Sequence, residues 1–192
     1  MNAHFESTHS IEISPGELIQ VLGSSYAKCH FQLVSGRNKK ATSRRVIADN
    51  KLCVSKSWPV KATDTVASIV ERWLADVPVR SPKKIAQTLG LDKKWHTSVL
   101  KLNHDAFLRL NTLRAMLDGA EVLEFMSLES IADFTGFLKG IRSEVLSSLE
   151  TEHYNPAFVV YGAEGSPGVS FMADRVLEVD GYGVREVEVE LW

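Results

Sequence analysis

The chain has 192 residues, 44% of them apolar and 24% charged, with a formal net charge of −2, enough for one domain or two small ones with a real core. No apolar run approaches the roughly 20 residues a bilayer needs, and no basic patch followed by an apolar stretch marks a secretory signal. Two cysteines, Cys29 and Cys53, make no disulfide framework, and no CxxC or HxxxH spacing occurs; a cytoplasmic chain with reduced thiols, no metal site and no membrane partner is expected.

Residues 1–10 are polar, and 1–13 read as a flexible tail. Ser14-Pro15-Gly16-Glu17 ahead of Leu18, Ile19, Val21 and Leu22 reads as a short capped helix, with a strand through Ile11 and Ile13 as the alternative. Strands are expected over 29–34, 45–48 and 52–55, the last two around an Asp49-Asn50 turn. Asp64 caps a helix whose Val66, Ile69, Val70, Trp73, Leu74 and Val77 form one apolar stripe, ended by Pro78. Ser81-Pro82 starts a helix closed by Gly90, Asp92 starts a further one, and another runs from about 105 to 118. A long helical stretch is expected over 127–149. After Pro156 the period changes, and 157–161, 169–172, 175–179 and 184–191 read as short strands. The fold class is then α+β: a basic strand-containing N-terminal part (14–80), a helical middle (81–150) and a small antiparallel, acidic C-terminal sheet (151–192).

The near-neutral total conceals a segregation of charge. Residues 28–114 carry 18 Lys or Arg against 6 Asp or Glu, residues 115–192 carry 4 against 15, and the first 27 carry three Glu with no Lys or Arg. A basic block of this size suits a polyanion, since each neutralised phosphate releases counterions.

Within that block, residues 81–102 read SPKKIAQTLGLDKKWHTSVLKL, the form of a helix-turn-helix. Ile85, Ala86 and Leu89 pack the first helix, Gly90 permits the turn, and Leu91 and Val99 anchor the second. Lys83 and Lys84 then suit the DNA backbone, while Lys93, Lys94, Thr97, Ser98 and Lys101 face the groove or its flanking phosphates. Arg37, Lys39, Lys40, Arg44 and Arg45 extend the cationic surface. The order of apolar positions, with Trp95 and the ending Val99-Leu100-Lys101-Leu102, resembles the helix-turn-helix of the ParB and KorB partition proteins. His96 stands where those proteins carry a small aliphatic residue. In size and strand-then-helix order the chain also resembles the ParB/sulfiredoxin-fold, Osa-type fertility-inhibition factors of plasmids. That resemblance implies a DNA-binding protein that blocks conjugative transfer, with DNase activity regulated by ATP and dependent on Mg²⁺.

The residues themselves give no catalytic motif. Gly162-Ala163-Glu164-Gly165-Ser166-Pro167-Gly168 has glycines but no Lys and is no Walker A sequence. Asp49, Asp64, Glu71, His96, His104 and Asp105 are the acid, base or metal-ligand candidates in the basic block, and each also fits a turn, a cap or a solvated face. Two alternatives stay open. One is a regulator that binds an operator as a homodimer. The other is an inhibitor or adaptor whose Glu178, Asp180, Glu186, Glu188 and Glu190 dock a basic protein.

Overall fold

Leu18, Ile19, Val21 and Leu22 are apolar on both sides of an extended chain, the pattern of a strand covered on both faces. In the computed structural model they form β2 (Leu18–Gly23), the strand around which the molecule is built. The structure describes residues 9–23, 31–35, 39–40, 43–47, 60–78, 81–126, 128, 131, 133–146, 154–162, 167–179 and 184–187. In chain order the elements are β1 (His9–Ile13), β2, β3 (Phe31–Ser35), β4 (Lys39–Lys40), β5 (Ser43–Ile47), α1 (Val66–Trp73), α2 (Pro82–Thr88), α3 (His104–Leu117), β6 (Val122–Met126), α4 (Phe134–Gly140), β7 (Ala157–Tyr161), α5 (Pro167–Met172), β8 (Arg175–Val179) and β9 (Val184–Val187).

The main sheet has the order β5-β6-β7-β2-β8-β9. Its first five strands are parallel, and β9 returns antiparallel to β8. A small sheet, β1-β3-β4, covers one face: Ile11 and Ile13 of β1 share a buried cluster with Ile19, Val21, Val159 and Leu177. The helices cover the other face, where Leu18, Leu123, Phe125, Phe158 and Val160 meet the apolar sides of α1 to α4. This is an α/β architecture. The α+β expectation, with a separate antiparallel C-terminal sheet, is overturned because strands from 18–23 to 175–179 belong to one parallel sheet, each joined to the next by a long crossover.

Several segments change identity. Ser14-Pro15-Gly16-Glu17 starts no helix. Glu17 N–H donates to the Ser14 carbonyl at 3.1 Å and Gly16 has φ 77°, a tight turn with Pro and Gly at its two centres. The alternative strand through Ile11 and Ile13 is β1, so the last five residues of the expected tail lie in the small sheet. Residues 122–126, which carried no expectation, form β6. Residues 169–172 are helical in α5, because four residues, Val-Ser-Phe-Met, are too few to fix a period. The stretch expected over 127–149 is helical from Phe134, and its continuation 141–145 widens into a π-turn. The segment 52–55, Asp49, Cys29 and Cys53 lie outside the described residues.

The helix-turn-helix fails in its second half. Its first helix forms as α2, capped by the Ser81 hydroxyl on Lys84 N–H and closed at Gly90. Beyond Gly90 the chain makes a 3₁₀ turn (Asp92–Lys94), a bend at Trp95-His96 and a second 3₁₀ turn (Val99–Lys101). The carbonyls of Trp95 and Thr97 instead accept Ala67 and Val66 N–H at 2.9 and 3.1 Å. Those are amides of the first turn of α1, which have no partner inside their own helix. A helix through 95–99 would lose these bonds and would bring the exposed His96 toward the core.

Asp64 is not itself the cap of α1; Thr65 is, in a reciprocal pair with Ser68. Asp64 is 5% exposed and takes both Arg72 nitrogens, at 2.7 and 2.9 Å, as well as Lys61 N–H at 2.7 Å. The Arg72 hydrogen bonds hold its carboxyl at about 2, below the ordinary 3.8. A depressed carboxylate stabilises the fold above its unfolded value, and that contribution disappears as pH falls through the folded one. Wild-type stability should therefore drop by about 1 kcal/mol between pH 5 and pH 2 through this group, the figure being small because Arg72 is partly exposed and screened. Urea midpoints of wild type and Asp64→Asn at both pH values check it: the Asn variant should start lower and lose less.

Candidate functional site

In an open parallel sheet, ligands sit at the carboxyl ends of the strands, where neighbouring strands send their connections to opposite faces. Here the amino edge is closed by side chains. Asp174 accepts Leu18 N–H at 2.7 Å, Arg142 donates to the Gly16 carbonyl at 3.0 Å and to Asp174 at 3.2 Å, and Arg175 reaches Glu17 at 3.1 Å.

At the carboxyl edge, β2 and β7 are register neighbours, Leu18 beside Phe158 through Val21 beside Tyr161. From Gly23 the chain continues to β3, which pairs with β1 on the small-sheet face. From Gly162 it continues to α5, whose Val169 lies in the cluster of the helical face. The two connections diverge, and the mouth between β2 and β7 is the candidate site.

Three buried groups shape it. Gly162 N–H donates to the Val21 carbonyl at 2.8 Å, which carries the pairing one residue past β7. Gln20 is fully buried in mid-strand; its amide donates to the Gly162 carbonyl at 3.1 Å, and its oxygen accepts the Ser170 hydroxyl at 2.6 Å. One side chain thus fixes both the exit of β7 and the start of α5. On the opposite face, the Tyr161 hydroxyl donates to Glu124 at 2.8 Å, and both side chains are buried.

In sequence, β2 runs into Gly23-Ser24-Ser25-Tyr26-Ala27-Lys28-Cys29. A phosphate-cradling loop reads G-x-x-x-x-G-K-[ST] directly after a strand. This segment has the glycine and the lysine, one residue closer together, with Ala27 for the second glycine and Cys29 for the hydroxyl. Residues 24–30 lie outside the described residues. Sequence reasoning passed over the segment because 18–22 read as a helix; the signal was Gly23 ending a two-sided apolar run, with Lys28 five residues on.

The residues expected to bind DNA are not gathered by one element. Lys83 and Lys84 are exposed at the start of α2, Lys93 is exposed and Lys94 half-buried in the first 3₁₀ turn, Thr97 and Ser98 are half-buried beside α1, and Lys101 is exposed in the second 3₁₀ turn. Of the other expected cations, Lys39, Lys40, Arg44 and Arg45 lie on β4 and β5, and Arg37 lies outside the described residues. Three cations of the basic block serve inside the fold: Arg72 pairs Asp64, Arg109 pairs Asp105, and Arg114 stands 3.9 Å from Asp118. The catalytic candidates meet no common partner: Glu71, His96 and His104 are exposed, and Asp64 and Asp105 are held by arginines.

No protein-family model and no curated protein matches the sequence. Among solved structures, the fold is similar to that of cbiO1 from Clostridium perfringens, part of the ABC transporter complex cbiONQ. The TM-score is 0.57 at 11% identity, over 90% of this chain and 77% of that one. It is also similar to a metal-chelate-type ABC transporter in an inward-facing conformation, with a TM-score of 0.52 at 13% identity, over 92% of this chain and 73% of that one. These likenesses overturn the ParB/KorB and Osa-type resemblance, and with it DNA as partner, fertility inhibition, nuclease activity and operator binding. Among the described residues no helix is long and apolar enough to cross a membrane, and the fold is that of the ABC transporter structures.

Proposed function

We propose that this chain is the extramembrane subunit of an ABC-type assembly, seated at the cytoplasmic side on a membrane-embedded partner, with the mouth between β2 and β7 as a nucleotide site. One observation carries the reading: adjacent central strands send their connections to opposite faces, on a sheet whose fold is shared with ABC transporter structures over nine-tenths of the chain. A fold alone hosts many functions. Gly23, which closes β2 at the carboxyl end of the sheet where ligands bind in such folds, narrows the choice.

The test is membrane association. Expressed in its native cells, the tagged full chain should sediment with membranes, leave them in mild detergent as a larger complex, and stay off protein-free lipid vesicles. Recovery of the whole population as a free species in the soluble fraction would overturn the reading.

A further inference from the structure

Four lysines of the helical layer converge on one end of α1. Val66 and Ala67 N–H donate to the Thr97 and Trp95 carbonyls, and Val99 N–H donates to the Asp64 carbonyl at 2.9 Å. Lys61 N–H donates to the Asp64 carboxylate at 2.7 Å. These bonds draw the segment before α1 and both 3₁₀ turns to the same place, and with them Lys61, Lys93, Lys94 and Lys101. Lys94 is half-buried and the other three are exposed. The acids of the same segments are Asp64, held by Arg72, Asp105, held by Arg109, and the exposed Asp92. Four ammonium groups therefore stand against one exposed carboxylate.

Leu100 stands among them, 76% exposed, while Val99 and Leu102 on either side of its turn are buried. The turn is ordered: Val99 N–H is fixed to Asp64, and Lys101 N–H donates to the Ser98 carbonyl at 2.9 Å. A lone leucine on a neutral surface needs no explanation. A leucine held out between ammonium groups suits the surface of an anionic bilayer. There lysine stems lie along apolar surface with their charges among the phosphates, and the leucine reaches the acyl boundary.

We propose that this end of α1 rests against the anionic headgroups of the cytoplasmic leaflet, beside the membrane-embedded partner. The inference rests on the extramembrane-subunit reading. Only a chain already held at a membrane keeps these lysines within the roughly 8 Å over which physiological salt lets them feel the surface. Each lysine so placed strengthens attachment by about fivefold. Such a patch is a second signal added to a first attachment, which agrees with a free chain that stays off lipid vesicles.

The test supplies the first attachment artificially. The full chain with a C-terminal histidine tag is bound to vesicles carrying nickel-chelating lipid in phosphatidylcholine, with or without about a third phosphatidylglycerol. Sedimentation gives its affinity. In about 0.15 M salt, phosphatidylglycerol should tighten attachment about tenfold or more, and about 1 M salt should abolish the gain. Lys61→Gln, Lys93→Gln and Lys101→Gln together should remove most of the gain, and Leu100→Ser part of it. Lys83→Gln with Lys84→Gln is the control, since these residues follow the other end of α1, and it should keep the gain. Urea midpoints equal to wild type confirm that these exposed substitutions leave the fold intact. No gain from phosphatidylglycerol, or an equal loss in the control, would overturn the inference. So would a contribution of the three lysines that is seen on native membranes and not on the vesicles, which assigns the face to an acidic protein. The tag replaces the native partner here, so failure of the assembly reading, seen in cell fractionation, is distinguishable from failure of this one.

Discussion

Replacing Arg109 by Met should lower stability by about 3 kcal/mol, the largest loss expected from any one charged side chain of the helical layer. Arg109 lies on α3 and is 7% exposed. Its Nη1 donates to the Leu89 carbonyl at 2.7 Å, its Nε donates to Asp105 at 2.9 Å, and its guanidinium stands 4.8 Å from the Phe137 ring centre. It therefore joins the end of α2, its own helix and α4. Met restores the volume but no donor, so a helix-end carbonyl and a carboxylate both lose a charged partner in a poorly solvated place. For a chain of this size the change corresponds to a Tm lower by roughly 6–12 °C. Arg109→Lys separates charge from geometry. One ammonium cannot reproduce the fork that serves Leu89 and Asp105 together, nor the stacking on Phe137. It should recover less than half of the loss in urea unfolding. Full recovery by Lys would mean that charge alone mattered.

The same residue shows why a charge count along the chain misleads. Arg109, Arg72 and Arg114 fall in a basic block fit for a polyanion, but each is matched at short range by an acid from its own stretch of chain. Local pairing sits below the resolution of a block sum. Elements with a one-sided apolar pattern were legible: α1 with its stripe from Val66 to Trp73 and α2 with Ser81-Pro82 and Gly90; α3, buried on nearly every side, was placed only approximately, over 105–118. The parallel core was not. Strands buried on both faces carry no alternation, so β2 read as a helix and β6 went unread. Without those two strands at their places in the sheet, there was no carboxyl edge on which to look for a site. Gln20, Tyr161 and Glu124 were unreadable for a related reason: a polar residue in a central strand acquires its role from partners 142, 37 and 150 residues away. The helix-turn-helix shows the converse error. Its apolar spacing was met by residues that do pack, but Trp95 and Thr97 commit their carbonyls to α1.

Gly23→Ala should destabilise the chain by about 4 kcal/mol, more than a surface glycine of similar backbone sign. Gly23 closes β2 with φ 117°, a conformation costing an L-residue roughly 1–3 kcal/mol. A β-carbon there would also fall 2.1 Å from the Val179 carbonyl oxygen. That atom is backbone, held in the β2–β8 ladder by the pairing of Gly23 with Val179, so no side-chain rotation can make room and the two strands must part. Gly119→Ala is the control. It has φ 70° and nothing within 4 Å of its would-be β-carbon, so it bears the conformational cost alone, about 1–2 kcal/mol. Calorimetry should place Gly23→Ala roughly 10 °C below wild type and Gly119→Ala within about 5 °C of it. Hydrogen exchange should quicken at the amides of β8 in the first variant and not in the second, because only Gly23 touches that strand. Equal losses in the two variants would mean that the backbone contact at Val179 is loose. The end of β2 would then not be fixed at the carboxyl edge of the sheet, where the fold needs it for any ligand to bind between β2 and β7.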